Sequence, residues 1–323
     1  MRSVLTLWFL STQFLVCIII VAVGSSAANS DLESKLRDAI RTGEKQVVTL
    51  TDDVLLTNDL EDIACPDLTI TGNCPGRKCV IDGQNKYAAF REPTKLTLQH
   101  LEIVRMRSNN PRRAPVVHAN YGGADVVIDD CTIRDSVGSE ARTGAVYVSE
   151  SELKIEKTTF ERNLGSRFGG AIFLDSFSRM TAIESVFAHN SAAIGGAVAN
   201  LESSMMFVRC RFSDNSATKG GGAIALHDAD GTGGTFMRTA FTNNTSAERG
   251  GAVYVGHINS VVRFCSCQFT GNQRDNIYIE RMGRGSVNFC PRRPTAGITL
   301  QDEEIGALTV QDGCSACPSP GRL

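Results

Sequence analysis

A tetrad of the form Phe-x-x-Asn occurs five times at nearly constant spacing: Phe160-Glu-Arg-Asn163, Phe187-Ala-His-Asn190, Phe212-Ser-Asp-Asn215, Phe241-Thr-Asn-Asn244 and Phe269-Thr-Gly-Asn272. Successive Phe positions are 27, 25, 29 and 28 residues apart. Four of the tetrads are followed by Gly-Gly-Ala and then Ile or Val, at Gly169–Ile172, Gly195–Val198, Gly221–Ile224 and Gly250–Val253. Aligned on the Phe, further columns come into register. Five residues upstream stand Ile155, Ala182, Phe207, Phe236 and Phe264, and two upstream the residue is always small: Thr158, Ser185, Cys210, Thr239 and Cys267. Two degenerate copies, anchored on Ile133 and Ile103, carry the register back to about Leu96.

Alternation at two-residue spacing, as in Leu153/Ile155, Ile172/Leu174 and Val253/Val255, marks short half-buried strands. A unit this short cannot bury its apolar side alone, so the units must stack. Coiling the chain at one repeat per turn gives a right-handed parallel β-helix, an all-β solenoid of about 25–30 residues per rung, its hand following the chirality of parallel crossovers. Seven rungs from 96 to 272 span roughly 34 Å at ordinary strand spacing. A leucine-rich repeat is the structural competitor at Leu96–Ile103, but later copies do not keep the leucines.

The organisation predicted is a leader over 1–27, a β-helix over 28–290 with regular rungs at 96–272, and an irregular Cys-containing cap or tail over 291–323. Leu32, Leu36, Ala39 and Ile40 fall on one face of a helix, so residues 31–42 are expected to cap the first rung. The leader reading rests on Arg2, the apolar run Val4–Val23 and the small residues up to Ala27, which together have the form of a cleavable secretory signal; an uncleaved anchor is the rival. No later segment is apolar enough to span a bilayer as a helix, so no membrane span is expected once the signal is removed. The formal charge is −2, from 33 basic and 35 acidic residues, with no basic block. That balance lacks the footprint of a nucleic-acid binder.

The pairing of Gly-Gly-Ala-Ile/Val with Phe-x-x-Asn resembles the repeat of polymorphic outer membrane proteins, over residues 126–272; residues 68–125 resemble a generic pectin-lyase-like helix. The resemblance implies a right-handed β-helix exposed at a cell surface, non-catalytic and used in adhesion or wall contact. The chain departs from that family in showing no C-terminal membrane-barrel segment.

The Phe and Asn columns have the period of an internal stack and turn ladder, and the paired glycines sit in no phosphate-binding context. Tyr147, Phe173, Ala199, Ala225 and Tyr254 occupy the column that alternates with the inward residues. Tyr147, Phe173 and Tyr254 are therefore candidates for stacking against sugar rings, with cover by a loop or the tail as the structural reading. Pectin-cleaving enzymes share this fold class, and a lyase would need calcium carboxylates and a base, a hydrolase paired carboxylates. Asp129-Asp130 and Gly256-His257 lie 127 residues apart and cannot act together; Asp175, Asp228 and Asp230 are the loop carboxylates that could hold calcium. No catalytic residue, cofactor or metal ligand is assigned, with calcium implied only by the lyase alternative.

Of the eleven cysteines, Cys17 leaves with the predicted leader, and the ten that remain in an exported chain read mainly as disulfides. Cys131, Cys210 and Cys267, in the small-residue column, are expected as buried thiols. Cys65, Cys74, Cys79, Cys290, Cys314 and Cys317 are disulfide candidates, with Cys74–Cys79 the favoured bridge and Cys265 a possible partner of Cys290. Zinc is the rival for Cys314-x-x-Cys317, and that motif could instead open a cysteine-rich module of a larger surface protein. Asn243-Asn-Thr245 and Asn244-Thr-Ser246 are overlapping glycosylation sequons, of which Asn243 is the better acceptor because Asn244 belongs to the ladder. The expected protein is a secreted or cell-surface β-helix that binds polysaccharide or wall components, with a pectin or polyuronate lyase or hydrolase as the alternative.

Overall fold

The computed structural model describes residues 17–20, 26–110, 112–120, 122–138, 144–227, 233–256, 259–280, 285–292, 294, 296–301, 309–312 and 317. Within them the chain winds as a right-handed parallel β-helix whose turns build three long sheets. Sheet A has twelve strands, running from Cys17–Ile20 and Gln46–Leu50 to Thr309–Asp312. Sheet B has nine, from Val54–Leu55 to Gln268–Thr270, and sheet C nine, from Phe90–Arg91 to Ile298–Leu300. A small sheet D, made of Ser191–Ile194, Ser216–Gly220 and Thr245–Ser246, lies in the connections from B to C.

The repeat is in register along the three long sheets, with one shift in sheet D between Ala192 and Ile194. Phe160 faces Phe187, then Phe212, Phe241 and Phe269, along sheet B. Their rings stack at 5.1, 4.7, 5.1 and 4.9 Å between centroids, within 10° of parallel. A second stack of Phe207, Phe236, Phe264 and Phe289 runs along sheet A at 4.9–5.5 Å. The two stacks meet edge to face inside the solenoid, as between Phe207 and Phe212 at 5.1 Å. Aromatic pairs of these geometries add about 0.5–1.5 kcal/mol each beyond burial.

The asparagines three residues on form a continuous ladder. Asn190 Nδ2 donates to Asn215 Oδ1 at 3.1 Å and to the Phe160 carbonyl at 3.0 Å, while Asn190 Oδ1 accepts from the Asn163 backbone N–H at 3.0 Å. Asn215 and Asn244 repeat the pattern toward Asn272. The small-residue column has a related cause. Thr158 Oγ1 donates to the Glu156 carbonyl at 2.8 Å and accepts from the Cys131 N–H at 3.1 Å, while the Cys210 thiol donates to the Ala182 carbonyl at 3.3 Å. A hydroxyl or thiol on a short stem satisfies the turn; a larger side chain would not fit.

The paired glycines are required by backbone approach. Gly195 has φ +64°, where an L side chain is strained, and a Cβ on Gly196 would lie 2.1 Å from the Gly222 carbonyl of the next rung.

The cap helix, α1, runs Ser26–Arg41 rather than 31–42, and Leu32, Leu36, Ala39 and Ile40 are all buried. Ahead of it, Cys17–Ile20 pairs in parallel with Gln46–Thr49, adding an edge strand from within the predicted leader. Strands also continue past residue 290, where the sequence reading ends the helix: Ile298–Leu300 extends sheet C and Thr309–Asp312 extends sheet A. Among the described residues sheet B ends at Gln268–Thr270, and prolines stand in the next rung. Counting on from the paired Cys265 and Cys290, Pro291 and Pro294 fall where Ser266 and Phe269 stand, and proline cannot donate to a ladder.

Phe212→Ala removes a fully buried ring stacked on both sides. It is expected to cost about 3–5 kcal/mol in chemical denaturation; a near-neutral value would mean that the stack contributes no stability.

Candidate functional site

The outward column of sheet C carries Tyr147, Phe173 and Tyr254, the sugar-stacking candidates of the sequence, and extends beyond them at both ends. His118, Tyr147, Phe173, Ala199, Ala225, Tyr254 and Tyr278 follow one another rung by rung. A second column, from the connections around sheet D, lies over it: Phe168, Ile194, Gly220 and Arg249, one per rung. Phe168 stacks on Phe173 at 4.9 Å, and the Arg249 guanidinium lies 5.7 Å from the Tyr278 ring centre. The connections thus cover much of the face. Phe173 is fully buried and Tyr254 only 7% exposed, so neither presents an open aromatic platform; Tyr147 is half-buried.

The polar groups of this face fall into two clusters. In the first, His118 stacks on Tyr147 at 4.9 Å, and the Tyr147 hydroxyl donates to Asp175 Oδ2 at 3.1 Å. His118 Nδ1 accepts from the Ala114 N–H at 3.1 Å, which places any ring proton of the neutral form on Nε2, 3.8 Å from Glu92 Oε1. Asp62 joins Arg91 at 3.2 Å and Arg113 at 3.1 Å beside it. Burial, helped by Arg113 and Arg91 and opposed by Asp62, pushes the His118 pKa down to about 4. Burial also raises the Glu92 carboxyl above its usual range, against the pull of the Asn120 backbone and Arg113.

In the second cluster, Arg249 Nη1 binds Glu280 Oε1 at 2.7 Å, and the Tyr254 hydroxyl donates to the same carboxylate's Oε2. Burial and that carboxylate raise the Tyr254 pKa, so the phenol stays protonated. Beside Tyr254 a cleft of about 200 Å³ opens, bounded by Ile194, Lys219, Gly220, His227, Glu248 and Arg249. A larger recess of about 440 Å³ lies at the C-terminal end of the stack, beside Phe264, Phe269 and Phe289. It is also bordered by Pro291, Pro294 and Ala296 and lies apart from the polar face.

Asp130, half of the candidate carboxylate pair, is held by Lys78 at 3.1 Å and His100 at 2.7 Å. Burial would raise its pKa, but these two partners bring it below the usual carboxylate range, leaving it ionised rather than poised as a proton donor. Asp228, Asp230, His257 and Cys314 lie outside the described residues. Among the described residues, no three His, Cys, Asp or Glu side chains cluster as metal ligands. No helix among them is long and apolar enough to cross a membrane.

Cys74 and Cys79 are bonded, and Cys265 is bonded to Cys317 rather than to Cys290, its neighbour in sheet A. Cys290 is itself in a disulfide. Cys65 corrects the expectation of a bridge: it is a buried free thiol that donates to the Glu44 carbonyl at 3.0 Å, and no second sulfur is bonded to it. Cys131, Cys210 and Cys267 are free as well, and burial pushes the first two up to about 12 and about 11. Asn243 is exposed at a left-handed turn with φ +55°, while Asn244 is fully buried in the ladder. The Glu92, Arg113 and His118 group and the Gly220 cleft escaped the sequence reading. The one available signal for the cleft was the glycine where other copies carry Phe168, Ile194 and Arg249.

A family model for the right-handed beta helix region matches residues 115–291, just over half of the chain. The chain belongs to the right-handed β-helix family. A curated relative, metabotropic glutamate receptor-like protein Q of Dictyostelium discoideum, is 31% identical over 132 residues. That stretch is 40% of this chain and 11% of the relative, so the chain spans about a tenth of the relative's length. No solved structure matches the chain.

His118 sets a pH dependence of stability. Its pKa is lower folded than the unfolded value of 6.5, so between about pH 6.5 and 4 the unfolded state binds more protons, and stability falls as pH falls through that window. The loss reaches about 3 kcal/mol at 1.36 kcal/mol per unit. In His118→Asn, whose Oδ1 can take the Ala114 N–H, denaturation midpoints should change less between pH 7.5 and 4.5 than in the natural protein. Parallel curves for the two proteins would show that His118 is not the group responsible.

Proposed function

We propose that the mature chain is exported and displayed outside the cell, where its sheet C face binds polysaccharide or cell-wall components without cleaving them. The observation that carries this reading is how the polar groups of that face are committed. Tyr147 is tied to Asp175, and Tyr254 and Arg249 are both tied to Glu280. The result is a fixed, partly covered face on which the half-buried rings of Tyr147 and Tyr278 and the edge of Tyr254 lie among hydrogen-bonding groups, a mixture that suits sugar. Export is supported by the leader composition and by disulfides, which persist in oxidising compartments. A cut after Ala27 would remove the Cys17–Ile20 strand and only two residues of α1, leaving its buried face from Leu32 to Ile40 in place. The motif likeness to the polymorphic outer membrane protein repeat favours a surface role in adhesion.

The lyase or hydrolase reading has less behind it. Asp129 ends a sheet A strand and Asp130 opens the turn after it, where Lys78 and His100 hold its carboxylate in the ionised form. Purified mature chain, incubated with polygalacturonate with calcium or with chelator, is expected to yield neither unsaturated product nor new reducing ends, while being retained by insoluble wall polysaccharide. Turnover, above all turnover lost with chelator, would reverse this conclusion.

In a eukaryotic secretory route Asn243 is the proposed N-glycan acceptor, since Asn244 is buried and both its amide atoms are engaged. Peptide N-glycosidase should shift the mass of the exported protein but not that of Asn243→Gln; an equal shift in both would place the glycan elsewhere.

A further inference from the structure

The cleft beside Tyr254 exists because one rung lacks a side chain. In the column that covers sheet C, Phe168 lies against Phe173, Ile194 occupies the next rung and Arg249 reaches Tyr278, but the rung between Ile194 and Arg249 carries Gly220. The fold does not demand glycine there. Gly221 has φ +67°, and a Cβ on it would meet the Ile224 carbonyl at 2.1 Å. A Cβ on Gly222 would meet the Gly251 carbonyl at 2.0 Å. Gly220 follows a register irregularity in its strand but has no left-handed φ, and a Cβ on it would meet only the Tyr254 side chain, at 3.3–3.6 Å, a close contact that a small shift of the ring relieves. What its missing side chain leaves is the cleft of about 200 Å³.

The rim is polar and balanced in charge. Lys219 and Glu248 are both exposed, of opposite sign, and neither is in an ion pair among the described residues, whereas Arg249 is neutralised by Glu280. His227 stands on the same rim, its ring centre 6.4 Å from that of Tyr254. An apolar floor of Ile194 and Tyr254 under a ring of hydrogen-bonding groups with no net charge suits the C–H face and hydroxyls of an uncharged sugar. The volume is below the roughly 300–1,000 Å³ of sites that enclose a drug-sized ligand, so it admits one ring and not a chain segment.

We propose that the Gly220 cleft is the anchoring subsite for a single uncharged pyranose ring of the bound polysaccharide. This rests on the glycan-binding reading above and narrows it to one place and one class of sugar. The test uses the full mature chain and Gly220→Ile, which supplies the side chain that the preceding rung already carries at Ile194. Lys219→Ala serves as a second variant that alters the rim without entering the covered face. Calorimetric titration with cellohexaose, mannohexaose, hexa-N-acetylchitohexaose and hexagalacturonate reads both charge preference and location. The natural chain should bind at least one neutral hexasaccharide more tightly than hexagalacturonate. Gly220→Ile should weaken that binding at least tenfold at an unchanged melting temperature, and Lys219→Ala severalfold. Unchanged affinity in both variants would overturn the cleft while leaving glycan binding in place. A preference for hexagalacturonate would overturn the uncharged ring. No binding of any glycan by the natural chain would remove both proposals.

Discussion

Each buried asparagine of the ladder holds two rungs at one separation. Its amide donates to a carbonyl of the preceding rung and to the next asparagine, while its oxygen takes a backbone N–H from the preceding one. A side chain with both a donor and an acceptor at that reach is needed; aspartate would lack the donor and leucine both. Lost partners would leave buried amides unsatisfied at about 1–3 kcal/mol each. The ring stacks lie at nearly the same spacing, so the hydrogen-bonded ladder and the aromatic columns reinforce one repeat length.

That rigid internal frame frees the outside to vary. The turn positions three residues before and two residues after each ladder Phe adopt positive φ, at Lys157, Glu184 and Arg209 and again at Arg162, His189 and Asp214. Left-handed backbone costs roughly 1–2 kcal/mol for such residues, a strain that the stacked rungs on either side outweigh. Because the frame fixes the turn, the residue there can be chosen for solvent or for ion pairs, as with Arg162 to Asp135 and Arg209 to Glu184. The outer face of sheet C shows the same freedom: its column changes from His to Tyr, Phe, Ala and back to Tyr without disturbing the strands beneath.

Much of the interior was legible from residue types alone. Phe207 and Phe236 could be placed inside because they share an offset from the ladder Phe, and Asn244 could be recognised as structural, leaving Asn243 as the exposed sequon. The charged left-handed turns were not legible, since Lys, Glu and Arg carry no local signal for positive φ. Nor was Cys65, which sits in an irregular rung and bonds a carbonyl as the column thiols do, instead of forming a bridge. Cys265 shows the limit of register: Cys290 is its strand neighbour, yet Cys317, distant in sequence, is the sulfur that reaches it.

The sequence by itself determined the solenoid, its repeat length, its core columns and the residues its tight glycine corners require, because a periodic chain that must bury one face per short unit has few ways to stack. What only the tertiary structure decided is the character of the outer face. Whether Phe173 is open to a ligand depends on Phe168 folding over it, and whether Tyr254 borders a cleft depends on a glycine in a connection that crosses above it. Those are contacts between a strand and a loop of neighbouring turns, fixed by how the connections lie across the sheet, and no spacing along the chain records them.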